Sequence, residues 1–360
     1  MQAIVLVGGE GTRLRPLTYG TPKPMVPIMN VPFLERTLVR IQDAGITHAI
    51  LPAGYLPEAI SSYFGDGSRL GMRLTYVIEE TPLGTAGAIK NVEQYIDGPF
   101  FVFNGDVLTG LDLRGMMQFH AAKGGVGSLH LITVEDPSSF GAVVHDADGR
   151  ISAFVEKPQG PPPSHDVNAG TYLLEPAVLA AIPGGRNVSI ERETFPELIA
   201  RGEKLYAYVT DDYWIDLGRP EHYLDAHRHL FEGAIPLELP LGRDLIAGPG
   251  SAQPPGTLVA PVFIGEGVTV EEGACVGPYV VLGNGCRIAS GARVVDSLLW
   301  EDVYVGPDAR IEWAIVASRA QIGAGAYVRP KSVIGHDVMI LDGSQLPEGS
   351  RVVAEGVTTG

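Results

Sequence analysis

The sequence predicts two architectures in tandem: an α/β domain with a Rossmann-like, mostly parallel sheet over residues 1–230, and a parallel β-helix over 258–350. Three observations carry this. Strand-like and helix-like segments alternate through the first part of the chain, glycine-rich breaks stand where strands end, and a six-residue apolar rhythm fills the last part.

The run QAIVLV at residues 2–7 is short and largely apolar and breaks into Gly8 and Gly9, which reads as a buried strand ending in a loop. In PFLERTLVRIQDAG, Leu34, Leu38 and Ile41 share a helical face, and Gly45 stands where the helix should stop. HAILPAGY resumes as a strand. The pattern returns as LTYVIEE, TAGAIKNVEQYI and FFVFNGD, an alternation that predicts helices on both faces of a sheet with ligands at the carboxyl ends of the strands. Gly8 to Thr18 and Asn104-Gly105-Asp106 both fall at such ends.

From Phe231 to Gly256 the periodicity weakens and Pro and Gly cluster, so residues 231–257 read as a linker. Beyond it Val262, Val268, Ala274, Val280, Cys286 and Ala292 recur every six residues, and Ile264, Val270, Val276, Leu282, Ile288 and Val294 keep the same period two places later. The rhythm slips by a residue or two and returns at Val303/Val305, Ala309/Ile311, Ala320/Ile322 and Ala326/Val328. Small and branched apolar residues held in such a phase predict stacked β-helix coils, an assembly module.

Composition narrows the function. The 360 residues are 45% hydrophobic and 19% charged, and 26 Lys and Arg against 42 Asp and Glu leave a formal charge of −16. No cationic field exists to track a nucleic acid or an anionic membrane, so neither is an expected partner. No apolar run approaches the ~18 residues needed to span a bilayer, and the first residues lack a basic segment, which predicts a cytoplasmic protein. Cys275 and Cys286 form neither a CxxC nor a zinc pattern, which fits a reducing compartment. Cys286 falls on the inward phase and should be a packing residue.

The most informative stretch is GGEGTRLRPLT at Gly8 to Thr18, followed by PKP at Pro22 to Pro24. It lacks the third glycine of a dinucleotide fingerprint and the GK[ST] of a P-loop. It offers small residues, Gly8, Gly9, Gly11 and Thr12, whose N–H groups can converge on phosphate oxygens. Arg13 can fork onto a pyrophosphate and Lys23 supplies a point charge. Only six lysines occur in the chain, and two of them, Lys23 and Lys157, sit in PKP and EKP.

This stretch resembles the signature of the sugar-nucleotide pyrophosphorylases, which join a sugar 1-phosphate to an NTP and release pyrophosphate. PLGTAGA, FNGD, FVEKP, VNAGTYLL, VSIERETFP and YWIDLG follow in that family's order, and the hexad tract is similar to the left-handed β-helix of hexapeptide-repeat proteins. Among subfamilies the chain is most similar to the mannose-1-phosphate guanylyltransferases. The resemblance implies GTP and mannose 1-phosphate as substrates. Asp106 and Asp216 would hold Mg²⁺, and Gly84 and Thr85 would be nucleotide contacts. Lys157 would lie on the sugar phosphate, with Gly141, Glu156 and Asn168 on the sugar hydroxyls. It also implies a homo-oligomer built through the β-helix, with a nucleotide-binding domain that survives truncation after Gly256.

Base choice rests on Glu79, at the position where related uridylyl- and thymidylyltransferases carry a glutamine. A carboxylate only accepts, and guanine presents two adjacent donors, N1–H and N2–H. Three alternatives stay open: a glucose-1-phosphate uridylyl- or thymidylyltransferase, a bifunctional enzyme with an acetyltransferase tail, and a non-catalytic subunit that binds the sugar nucleotide. His336 is the single histidine of the β-helix tract that could serve an acetyltransferase as base. His222, Asp225 and His229 share a helical face but lack a metal-site pattern, and read as a solvated helix.

Overall fold

A computed structural model describes residues 1–235 and 255–354. Most of the proposed 231–257 linker therefore lies outside the described residues. The chain packs into two compact units: Met1–Glu10 with Leu34–Trp214, and Gly11–Phe33 with the chain from Ile215 onward.

The first unit is built on one mixed sheet. Its main path runs Ile151–Glu156, Gly141–His145, Asp166–Leu174, Phe100–Asn104, Gln2–Leu6, His48–Ala53 and Arg73–Ile78, while Gly127–Thr133 joins Asp166–Leu174 to Leu205–Thr210. Where strand and helix alternate in sequence the strands are parallel: Gln2–Leu6 lies between His48–Ala53 and Phe100–Asn104. Asp166–Leu174 runs antiparallel to its neighbours, while Leu205–Thr210 pairs parallel with Gly127–Thr133, so the sheet as a whole is mixed. The central strands are buried on both faces, which is why QAIVL and FFVF read as continuous apolar runs. The predicted helix is Phe33–Asp43; Leu34, Leu38 and Ile41 are fully buried, and Gly45 takes a φ of 93° just past its end.

The β-helix occupies the described residues from Thr257 to Val352 and forms three parallel sheets with six, six and five strands. It is of the left-handed class. Its core consists of the hexad positions, from Val262 and Ile264 through Ala326 and Val328, nearly all of them fully buried. Val268 is the exception, packed against that core and only partly buried.

The slip in the rhythm has a simple cause. Cys275 pairs with Arg293, eighteen places on, but Arg293 pairs with Arg310 and Arg310 with Tyr327, each seventeen places on. One residue is lost at the corner after Val294 and again after Ile311, where Asp296 and Trp313 turn the chain with positive φ. The two shortened corners stack on each other, and the strands on either side keep their pairing.

Cys286 is fully buried, as its phase predicts, and its Sγ donates to the Trp300 carbonyl at 2.9 Å. Burial pushes this thiol up to about 12, whereas Cys275 is only partly covered. Thiolate is the reactive form, so iodoacetamide at pH 8 should alkylate Cys275 well before Cys286 in the native protein, and both at similar rates in denaturant. Equal native rates by mass spectrometry would contradict this packing.

Candidate active site

In the first unit the candidate residues stand at strand ends: Gly8, Glu79, Asp106 and Glu156 at or after carboxyl ends, and Gly141 and Asn168 near the amino ends of the antiparallel strands Gly141–His145 and Asp166–Leu174. The Gly105 N–H donates to the Leu6 carbonyl at 3.1 Å, and a Cβ at Gly105 would stand 2.2 Å from that oxygen. Only glycine lets FNGD cross so close to the first strand, and the crossing sets Asp106 beside the start of the glycine-rich loop.

Glu79 follows strand Arg73–Ile78, with its N–H on the Ala53 carbonyl at 2.9 Å. Its side chain faces two glycines: a Cβ at Gly8 would lie 3.6 Å from Oε2, and one at Gly54 would lie 3.9 Å from it. Oε1 is buried without a hydrogen-bond partner. Burial raises the Glu79 pKa, opposed by a hydrogen bond from the Leu83 backbone. A buried acceptor without a donor costs stability, so an atom of this kind beside a two-glycine recess marks a place where a ligand's donors fit.

Gly84 (φ 70°) and Thr85 open helix Gly84–Asn91 against the segment that carries VSIERETFP. A Cβ at Gly84 would meet the Val188 carbonyl at 2.6 Å. Thr85 Oγ1 donates to Glu191 Oε2 at 2.8 Å and accepts from the Ile190 N–H at 2.8 Å. Glu191 lies in a π-helical turn, Ile190–Thr194, and also accepts from Ser189 Oγ and, at 3.4 Å, from the Tyr172 hydroxyl. π-turns recur at functional sites, and this one draws in Thr85, Ser189 and Tyr172.

Tyr172 connects that turn to Asn168, whose Nδ2 donates to the tyrosine oxygen at 2.7 Å while its Oδ1 accepts from the Gly170 N–H. The ladder to Gly127–Thr133 shifts register between Asn168 and Tyr172, and such irregularities re-aim side chains. Gly170 (φ 77°) makes room for Asn104, another residue with a buried, unpartnered oxygen.

Glu156 ends Ile151–Glu156, one strand beyond Gly141–His145, and Lys157 follows it with Nζ 3.6 Å from Oε1. A Cβ at Gly141 would lie 2.7 Å from the buried Phe154 ring and 2.8 Å from Glu156 Oε2, so glycine there leaves room for both side chains. Burial raises the Glu156 pKa, Lys157 lowers it and Glu191 raises it again. The structure thus brings Gly141, Glu156, Lys157, Asn168 and Thr85 into one polar network. Its hub, Glu191, stands inside the motif VSIERETFP, but nothing in that motif's sequence assigns it a role.

In the second unit the signature loop runs through short 3₁₀ turns at Thr12–Leu14, Leu17–Tyr19 and Lys23–Met25. Gly11 (φ 63°) would place a Cβ 2.9 Å from that of Lys23, so the loop folds its glycine onto the lysine stem. Thr18 Oγ1 closes the turn on the Gly11 carbonyl at 2.9 Å. Gly9 and Thr12 are exposed, as is Arg13. Arg13 Nη2 lies 3.7 Å from Asp216 Oδ2, and the Gly218 N–H donates to Asp216 Oδ1 at 2.6 Å. A Cβ at Gly218 would sit 2.5 Å from Arg13 Nη2 and 2.7 Å from Asp216 Oδ1. His222, discounted as a metal ligand, hydrogen-bonds the Asp216 carbonyl through Nδ1.

A sheet whose strand ends carry a glycine recess, an unpartnered carboxylate oxygen and a lysine–carboxylate network, on a chain that also folds an Arg- and Lys-bearing glycine loop, defines a nucleotide-handling enzyme of the α/β class. Residues 2–233 match the model of the nucleotidyl transferase family, and residues 258–353 match that of the GMPPB C-terminal domain. The chain belongs to the nucleotidyl transferase family, whose members generally use a divalent metal. It is 45% identical to the mannose-1-phosphate guanylyltransferase of Mycobacterium tuberculosis, over 82% of this chain and 81% of that one. It is 36% identical to mannose-1-phosphate guanylyltransferase 1 of Arabidopsis thaliana, over 95% and 93%. Among solved structures, HddC from Yersinia pseudotuberculosis complexed with GMP-PN superposes with a TM-score of 0.55 at 31% identity, covering 64% of this chain and 99% of that one.

Proposed function

We propose that this chain is a mannose-1-phosphate guanylyltransferase, converting GTP and α-D-mannose 1-phosphate to GDP-mannose and pyrophosphate. The observation that carries the guanine assignment is the buried, unpartnered Oε1 of Glu79 beside Gly8 and Gly54. A carboxylate there matches the paired N1–H and N2–H donors of guanine, and the names of the relatives support the same base and sugar.

In the reaction a phosphate oxygen of mannose 1-phosphate attacks the α-phosphorus of GTP in line. The new P–O bond forms as the bond to the bridging oxygen of the β-phosphate breaks, and the electron pair leaves on pyrophosphate. Catalysis is positioning and charge neutralisation rather than covalent chemistry. Gly8, Gly9, Gly11 and Thr12 offer backbone N–H groups to the triphosphate, while Arg13 and Lys23 neutralise its charge. Gly84 and Thr85 shape the nucleoside side. Gly141, Glu156 and Asn168 orient the sugar, and Lys157 binds its phosphate.

Asp106 and Asp216 are the carboxylates assigned to Mg²⁺. Mg²⁺ is commonly held by one or two carboxylates with water and substrate phosphate oxygens completing its shell, the arrangement that these two would serve. When bound, such an ion supplies charge neutralisation at the phosphates.

A panel of NTPs against sugar 1-phosphates, scored by pyrophosphate release, tests this reading; the highest kcat/KM is expected for GTP with mannose 1-phosphate. Equal or better use of UTP or dTTP with glucose 1-phosphate would transfer the assignment to the uridylyl- or thymidylyltransferases. Lys157→Ala should raise KM for the sugar phosphate roughly tenfold or more, leaving KM for GTP nearly unchanged, because a charge-assisted hydrogen bond to one substrate is lost. Unaltered sugar-phosphate kinetics would remove Lys157 from the site.

A cytoplasmic location is proposed on the two free cysteines, and no described helix is long and apolar enough to cross a membrane. Homo-oligomerisation is proposed through the β-helix, where Met339 and Leu341 are 65% and 70% exposed.

A further inference from the structure

The signature loop packs within the same compact unit as the β-helix, and the contacts are specific. His336 Nε2 lies 2.9 Å from the Leu17 carbonyl and 3.3 Å from Thr21 Oγ1. A carbonyl only accepts, so the proton sits on Nε2, which grips the loop between Arg13 and Lys23. A Cβ at Gly20 would lie 3.4 Å from the imidazole, and one at Gly335 would lie 3.2 Å from Pro16. The ring is backed by Trp300, edge-on at 5.4 Å.

A second anchor holds the end of the same segment. Met29 and Asn30 both have positive φ, and Asn30 Nδ2 donates to the carbonyl of Leu282, a β-helix residue, at 2.8 Å. The Met29 N–H donates to His227 Nε2 at 3.2 Å, and the Tyr223 hydroxyl donates to the Pro27 carbonyl. The loop that carries the two phosphate-seeking cations is thus tied at its middle by one β-helix coil and at its end by another.

We propose that the β-helix is the platform that positions the signature loop, with His336 as a positioning residue for Arg13 and Lys23. Nε2 is spent on the loop as a donor, which leaves the ring's lone pair on Nδ1. Because misplacement of a catalytic group by about 1 Å can cost 10²-fold, a loosened loop should show in turnover although His336 touches no substrate. The kinetic part of this inference rests on the proposed guanylyltransferase reading; the structural part does not.

The test uses the full chain with His336→Ala and His336→Gln, followed by hydrogen exchange and steady-state kinetics. His336→Ala should raise amide exchange in peptides spanning 12–25 while leaving the coils between 262 and 330 unchanged. It should also lower kcat by between about 10- and 10²-fold, with KM for the sugar phosphate unmoved. His336→Gln, whose amide can still donate to Leu17, should recover much of both. Unchanged loop exchange, a rise spread evenly through the β-helix, loosening without a kinetic effect, or a Gln variant no better than Ala would each overturn the proposal. If the wild type turns over no pair of NTP and sugar phosphate, the functional reading fails, while the exchange experiment still decides whether His336 holds the loop.

Discussion

Asp106→Asn and Asp216→Asn should each lower kcat by about 10²–10³-fold, the scale on which a group that stabilises transition-state charge is felt, with Tm changed by about 2 °C or less. The isosteric change isolates charge from shape. In Asp216→Asn the side-chain amide oxygen could still accept from the Gly218 N–H, a bond now made at 2.6 Å, so the turn that presents the side chain survives. What it loses is the negative charge that faces Arg13 and that the proposed reading assigns to a cation. Asp106 stands after a glycine crossing that tolerates no Cβ, and Asn leaves that backbone untouched. EDTA should abolish turnover and added Mg²⁺ should restore it. Full activity in EDTA, or wild-type rates in both variants, would sink the metal assignment.

The parts of this protein legible in its sequence are those whose signal is local. Gln2–Leu6 and Phe100–Asn104 announce themselves as apolar runs because both faces of a central strand are buried. The hexads announce the β-helix because each coil repeats the same packing problem. Strand direction is not local. Asp166–Leu174 is an apolar strand like its neighbours, and nothing in VNAGTYLL says that it runs antiparallel. Glu191 is hidden for the same reason: its donors come from Thr85, Tyr172 and Ser189, and the first of these is 106 residues away. The tie between Thr21 and His336 spans 315 residues. Motif reading finds the loop's chemistry in GGEGTRLRPLT and PKP, but what holds the loop in place lies at the far end of the chain.

Glu79→Gln should narrow the preference for GTP. The carboxylate presents acceptors only, so guanine can give it two donors; the glutamine amide replaces one acceptor with a donor that meets guanine N–H head-on while suiting the mixed edge of uracil or thymine. Mismatched buried groups cost about 1–3 kcal/mol each, so kcat/KM for GTP should fall roughly 5- to 150-fold while that for UTP or dTTP holds or rises. Burial also raises the Glu79 pKa above the ordinary glutamate value. Protonation converts one acceptor to a donor, as the amide does, so wild-type selectivity for GTP should be full above that raised pKa and decline as the pH falls through it. The Gln variant has no such titration, and its selectivity should stay flat over the same range. A wild type with pH-independent selectivity, or a Glu79→Gln enzyme as selective as its parent, would show that the buried Oε1 does not read the base.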